Sequence, residues 1–197
     1  MIVGITGGVG CGKSTVLNFF ADWGWSAIDT DSICHDLYNE RNEQLFDAIL
    51  NRWGRKVFSS RGEVCRKTIA EIVFNDPGEL CWLNNLLHPM IKQRVDSAID
   101  KAGKNAEVIV DVPLLFEADW QSRFASIICV WTSEEIQRER LLRRGWNAKE
   151  IKTRINSQMS LTEKLQKSDI GLINTGSLEL LHKQCKYIKN IIKRKIS

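Results

Sequence analysis

The chain has 197 residues, of which 28 are basic, 24 acidic and 43% hydrophobic. That length suits one α/β domain with small inserted segments and can bury a sizeable core. A charged fraction of 26% beside this apolar content excludes a disordered chain, and no apolar run approaches the roughly 18 residues of a membrane span.

The net charge of +4 invites a nucleic-acid partner, but its location argues otherwise. Residues 180–197 hold Lys183, Lys186, Lys189, Lys193, Arg194 and Lys195 and no acid; the remainder has 22 basic against 24 acidic side chains. A basic terminal stretch of this kind is commonly a solvated helix face. The six cysteines stand more than fifteen positions apart, so there is no CxxC pair, and the three histidines are equally scattered.

The apolar start, MIVGITGG, has no basic region before it and ends in a glycine-rich turn. It reads as a strand over 2–6 rather than a signal peptide, so a cytoplasmic location is expected. The turn itself, Gly7-Gly8-Val9-Gly10-Cys11-Gly12-Lys13-Ser14, fits G-x-x-x-x-G-K-[ST] between a strand and a helix predicted over 15–23. Glycines let such a backbone curl so that N–H groups point at phosphate oxygens, and the helix N-terminus adds positive potential. Lys13 can reach the β- and γ-phosphates, and the Ser14 hydroxyl can join a Mg²⁺ shell. Cys11 lies inside this loop near a helix N-terminus, a setting that favours thiolate and predicts that oxidation blocks ATP binding.

A second strand is predicted over 27–29, with Asp29-Thr30-Asp31 at its end. Strand carboxyl ends face the ligand crevice of a doubly wound sheet, so these acids suit a base that takes a hydroxyl proton. They suit a helix cap equally well. Nearly eighty residues then separate this strand from the next, with helical patterns over 34–53, 66–74 and 79–102, the last two divided by Asp76-Pro77-Gly78. So long a gap implies an inserted helical segment.

A third strand over 108–111 delivers Asp111 in the manner of a Walker B acid, toward Mg²⁺ or its water shell. Strands are further predicted over 127–131 and 170–174. Between them, the helix over 134–144 carries Gln137, Arg138, Arg140, Arg143 and Arg144, with Arg154 beyond it. Arg140 and Arg144 are four apart and share a face, suited either to phosphate oxygens or to solvent. Short buried strands alternating with helices specify a parallel sheet covered on both faces. The pattern argues against a GTPase, because the only D-x-x-G ends a predicted helix and no [NT]-K-x-D occurs.

Taken in order, these segments resemble the dephospho-CoA kinase family along nearly the whole chain. GITGGVGCGKSTV resembles its phosphate loop, IDTDSI its Asp-x-Asp element, and GEVCRKTIAEIVF and LNNLLHPMI its middle segments. VDVPLLFE, Q-x-x-R-L-x-x-R over 137–144, RINSQ, Ser168-Asp169 and INTGS follow in the family's order. Two departures stand out: Val64-Cys65-Arg66 replaces the usual Leu-Asp-Arg, and Gly145-Trp146 follows Arg144 in place of the usual Asp.

The resemblance implies a P-loop kinase fold, with a parallel sheet of about five strands, helices on both faces, an acceptor insertion over 36–104 and a lid over 136–165. The core is then 1–35, 105–135 and 166–197. It implies transfer of the ATP γ-phosphoryl to the ribose 3′-hydroxyl of dephospho-CoA, with Mg²⁺, and favours Asp31 as the base. Lys13, Arg140 and Arg144 stabilise the transferred group. Gly8, Gly10, Cys11, Gly12, Lys13, Ser14, Thr15 and Asn174 hold ATP, with Ser14 on the metal and Asp111 on it through water. No nucleic acid or membrane partner is expected. The alternatives are another small-molecule or nucleoside monophosphate kinase, and, more remotely, a nucleotide-dependent nucleic-acid-binding module.

Overall fold

The computed structural model describes residues 1–40 and 42–196, with the side chains of 193–196 outside the description. Five parallel strands form: β1 (Ile2–Gly7), β2 (Ser26–Asp29), β3 (Val108–Asp111), β4 (Ser126–Trp131) and β5 (Ile170–Ile173). Their order across the sheet is β2-β3-β1-β4-β5, so the strand feeding the glycine loop is central. Nine α-helices accompany them in the described residues: α1 (Lys13–Asp22), α2 (Thr30–Asn39), α3 (Glu43–Trp53), α4 (Arg66–Val73), α5 (Pro77–Ala102), α6 (Glu134–Arg143), α7 (Ala148–Asn156), α8 (Leu161–Lys167) and α9 (Leu178–Ile196).

Every expected strand is present, and each ends within a residue of its expected position. The long helix expected over 34–53 is instead two helices. Asn42 caps α3 by accepting the Leu45 N–H at 3.0 Å, which stops α2 before it. Likewise α2 begins at Thr30, so Asp31 lies in its first turn rather than at a strand end. Pro77 opens α5, where its missing N–H costs nothing, and Asp76 Oδ1 accepts from Gly78 N–H at 2.8 Å.

The chain divides into two compact units: Met1–Asp29 with Ile99–Ser197, and Thr30–Ala98. In the first, α1 and α9 cover one sheet face. Val16, Leu17 and Phe20 of α1 meet Leu181, Cys185, Ile188 and Ile192 of α9 over Val3, Ile5, Ile128 and Val130. Fully buried strand residues of this kind are expected where both faces of a parallel sheet are covered. The end of the edge strand β5 is covered by a side chain: Gln184 donates to the Ile173 carbonyl at 2.9 Å and accepts its N–H at 3.3 Å. That amide occupies the hydrogen bonds an adjoining strand would otherwise take. In the basic stretch, Lys183 pairs with Glu179 at 2.6 Å and Lys189 lies 4.7 Å from the Trp23 ring centre. The side chains of Lys193, Arg194 and Lys195, counted in the sequence as part of the basic tail, lie outside the described residues.

The second unit is helical around its own core of Leu37, Leu45, Ile49, Trp53, Val57, Ile69, Val73, Leu83, Leu87 and Met90. Its surface is tied by Glu79, which takes a fork from Arg52 at 3.0 Å on each oxygen and the Trp53 indole N–H at 2.9 Å. No helix among the described residues is long and apolar enough to cross a membrane.

One buried charge in the first unit has no counterpart in the hydrophobic pattern. Lys164 on α8 is fully buried, 2.8 Å from Glu117 Oε1, and donates to the Pro113 carbonyl at 2.5 Å. The same Glu117 oxygen accepts the Met159 N–H at 2.8 Å. Burial pulls the Lys164 ammonium below the usual lysine range, and Glu117 works against that shift. The pair fastens the segment after β3 to the start of α8. Removing one partner strands the other, so Lys164→Met is expected to lower stability in urea melts by about 3 kcal/mol. Adding Glu117→Leu is expected to restore at least half of that loss.

Candidate active site

The loop between β1 and α1 is shaped by what holds its carbonyls. Gln137 Nε2 donates to the Val9 carbonyl at 2.6 Å, and Asn174 Nδ2 to the Cys11 carbonyl at 2.8 Å. Arg140 donates from one terminal nitrogen to the carbonyls of Gly10 and Cys11, both at 3.4 Å. Its other terminal nitrogen donates to the Asn174 carbonyl at 3.0 Å, which also accepts from Thr132 Oγ1 at 2.9 Å. In a trans peptide the N–H points opposite to the C=O. With the carbonyls of residues 9–11 turned toward α6 and Asn174, the N–H groups of Gly10 and Gly12 turn to the other side. Cys11 N–H returns to the Gly8 carbonyl at 3.3 Å.

The first turn of α1 completes the cradle. Helix N-termini leave N–H groups without intrahelical partners, and the N-cap Gly12 brings no side-chain cap of its own. Gly12 has φ +96°, and a Cβ there would lie 2.3 Å from Asn174 Nδ2. At Gly8 a Cβ would lie 2.5 Å from Gln137 Nε2. The left-handed backbone favours glycine at Gly12, and at Gly8 a side chain would push the Gln137 amide from its place. The product is a concave set of N–H donors at a helix start, which is an anion site.

The expected site residues are distributed over both units. Gly8, Gly10, Cys11, Gly12, Lys13, Ser14 and Thr15 form the loop and the start of α1. Lys13 is 9% exposed and its ammonium donates to the Gly8 carbonyl at 3.2 Å, which holds it across the loop. Ser14 is exposed on the first turn, and Asp111 is buried at the end of β3, in register with Ile5 of β1 and Asp29 of β2. Arg140 and Asn174 reach the loop but through its carbonyls, as described above. Arg144, at the C-cap of α6, is exposed. Asp31 is exposed on the first turn of α2, in the second unit.

Beside Gly8 a cavity of about 460 Å³ opens, lined among others by Thr132, Gln137, Ile155, Met159 and Thr162. Its walls come from α6 and from the α7–α8 region. Capping boxes fix the starts of α7 and α8: Asn147 with Glu150, and Ser160 with Glu163.

Gln137 is the residue whose part the sequence leaves unread. It is 3% exposed and lies on the same α6 stripe as fully buried Leu141. A hydrophobic pattern assigns that stripe apolar residues, but its partner here is a row of carbonyls, which only a donor can satisfy. Lys164 and Glu117 are unread for a similar reason: their partners are distant in sequence.

The thiolate expected for Cys11 is corrected by the structure. Its side chain is fully buried, and that burial pushes the thiol up more strongly than nearby Lys13 pulls it down. Neighbouring Cys129, also buried, is pushed up to about 12. No group of three or more His, Cys, Asp or Glu side chains able to hold a metal occurs among the described residues. A cation here would rely on phosphate and water oxygens, with Ser14 and Asp111 as the oxygen-bearing side chains, a donor set suited to Mg²⁺.

A family model described as dephospho-CoA kinase matches residues 1–179. A dephospho-CoA kinase of Shewanella oneidensis is 36% identical over 184 residues, which span 93% of this chain and 89% of that protein. Among solved structures, a protein of Thermus thermophilus superposes with a TM-score of 0.80 at 29% identity, over 96% of each chain. Dephospho-CoA kinase from Campylobacter jejuni superposes with a TM-score of 0.71 at 27% identity, over 98% of each chain.

The cysteine environments can be checked directly. Cys65 is partly exposed, and the Thr68 hydroxyl, 3.1 Å from its sulfur, lowers its pKa. At neutral pH a lowered pKa gives more thiolate and a raised one less. Iodoacetamide followed by peptide mass mapping is therefore expected to label Cys65 and leave Cys11 intact in the folded protein.

Proposed function

The chain belongs to the dephospho-CoA kinase family, and on that premise we propose how its residues phosphorylate the ribose 3′-hydroxyl of dephospho-CoA with ATP. The observation that carries this reading is the phosphate loop at the end of the central strand, its carbonyls held away by Gln137, Arg140 and Asn174. Such a loop, Gly8 to Thr15, binds the phosphates of ATP through those of its backbone N–H groups not turned back on the loop itself. Cys11 N–H is so turned to the Gly8 carbonyl, and Thr15 N–H to the Gly12 carbonyl. Lys13 moves from the Gly8 carbonyl to the β- and γ-phosphates. Ser14 and Asp111 are the residues that would hold Mg²⁺, Asp111 by way of water, and the ion would neutralise charge on the phosphate oxygens.

Asp31 takes the proton of the 3′-hydroxyl as its oxygen attacks the γ-phosphorus and the bond to the leaving ADP oxygen breaks. An exposed carboxylate on the first turn after β2 supports that role. Arg140 brings its charge to the loop by way of the Gly10 and Cys11 carbonyls, and Arg144, exposed one turn on, is free to swing to the transferred group. Residues 36–104 supply the acceptor site and 136–165 the lid; the three short helices α6, α7 and α8 suit a segment that closes over nucleotide and keeps water, a competing acceptor, out. The reaction draws on ATP and dephospho-CoA, and the reading takes the enzyme to be cytoplasmic with no nucleic-acid partner.

The test is an acceptor panel with ATP and Mg²⁺. Dephospho-CoA is expected to accelerate ADP release far above the water background, while shikimate and nucleoside monophosphates do not. Asp31→Asn is expected to bind ATP with unchanged affinity and to lose about 10²–10⁴ in turnover. Near-wild-type kcat in that variant contradicts the assignment of the base.

A further inference from the structure

A second cluster of chemistry-bearing side chains lies wholly within the second unit. Asp31, His35 and Tyr38 follow one another along α2 at steps of four and three residues, so they share one stripe. Arg66, the first residue of α4, closes on that stripe. One of its terminal nitrogens is 2.6 Å from His35 Nδ1, and its guanidinium lies 5.7 Å from the centre of the Tyr38 ring. Arginine only donates, so His35 Nδ1 accepts from it, and the other ring nitrogen, Nε2, lies 3.3 Å from the Asn39 side-chain amide.

The contacts of Arg66 differ from those of its neighbours. In the same unit, Arg52 pairs with Glu79 and Arg94 with Glu40. Arg66 is held instead by an imidazole nitrogen and a phenol face, neither of which cancels its charge. The guanidinium is thus oriented by two neutral groups on a side chain that is itself exposed. Arg66 and Asp31 also act on one group: burial pushes the Cys34 thiol up to about 11, Arg66 pulls it down and Asp31 pushes it up. Because Asp31 lies one turn before His35 on the same stripe, and Arg66 bonds His35, cation and carboxylate stand on the same side of α2.

We propose that Arg66, oriented by His35 and Tyr38, binds the diphosphate of the acceptor whose 3′-hydroxyl Asp31 deprotonates. A guanidinium fork matches phosphate oxygens, and one held by neutral partners keeps its full charge for them. The spacing fits as well. One helical turn separates Asp31 from His35, about 6 Å of rise, and in an adenosine nucleotide the 5′-diphosphate lies one ribose away from the 3′-hydroxyl. His35 is a positioning residue in this scheme, and Arg66 contacts substrate.

The inference rests on the kinase reading above, and the experiment separates the two. With the full chain, Arg66→Gln and Arg66→Lys are compared with wild type on dephospho-CoA and on adenosine, which has no diphosphate. Arg66→Gln is expected to raise KM for dephospho-CoA by about 10- to 100-fold, the worth of one hydrogen bond to a charged group. KM for ATP and turnover of adenosine are expected to stay at wild-type values, and Arg66→Lys to recover part of the loss. Equal losses on both acceptors, an unchanged KM for dephospho-CoA, or a raised KM for ATP overturns the proposal. Calorimetric binding of dephospho-CoA without ATP provides the separate readout. If wild type binds dephospho-CoA and the variant does not, the Arg66 site stands even where phosphorylation fails; equal binding, or none by wild type, removes it.

Discussion

The phosphate site depends on keeping backbone carbonyls out of it. A loop that curls tightly enough to aim N–H groups inward carries an equal number of carbonyls, and any one of them turned inward repels phosphate. Here the carbonyls of Val9, Gly10 and Cys11 are tied to Gln137, Arg140 and Asn174, residues that arrive from α6 and from the end of β5. The glycines make the curl sterically accessible, and these three side chains decide which way it faces. Their positions require in turn that β4 and β5 lie next to β1, which the strand order provides.

That dependence alters the meaning of the basic helix. Its arginines invite a reading as phosphate ligands, yet Arg140 bonds three carbonyl oxygens of the protein itself. A guanidinium so placed fixes the loop and still lends it positive potential. Because α6 also begins the segment proposed as a lid, movement of that segment and the shape of the loop are mechanically linked. The Lys164–Glu117 pair fastens the other end of the same segment beside the strand that ends in Asp111.

Much of this was legible in the sequence, for identifiable reasons. The loop motif is local, and the five strands are short apolar runs bounded by turn residues, so periodicity finds them. Asn42 marks a helix start in plain sight, but continuous helical patterning across 34–53 hides the break it makes. The tertiary roles of Gln137, Lys164 and Glu117 could not be read, because buried polar residues are defined by partners up to 128 positions away. Cys11 was misread for a related reason: a helix N-terminus favours thiolate, but the surroundings that exclude water are assembled from β4 and the loop itself, and burial wins.

The two units divide the chemistry. The phosphate cradle is built entirely within the first, and the Asp31 stripe with Arg66 entirely within the second. The carbonyl constraint is the premise on which the nucleotide half stands, and Gln137→Met tests it most directly, since methionine keeps the volume and removes the donor. Isothermal titration with ADP is expected to show affinity lowered by about tenfold, the worth of one hydrogen bond, with the melting temperature lowered by only a few degrees, about 1–2 kcal/mol. Wild-type affinity in that variant would show that the loop holds its shape without the clamp, and would contradict the account.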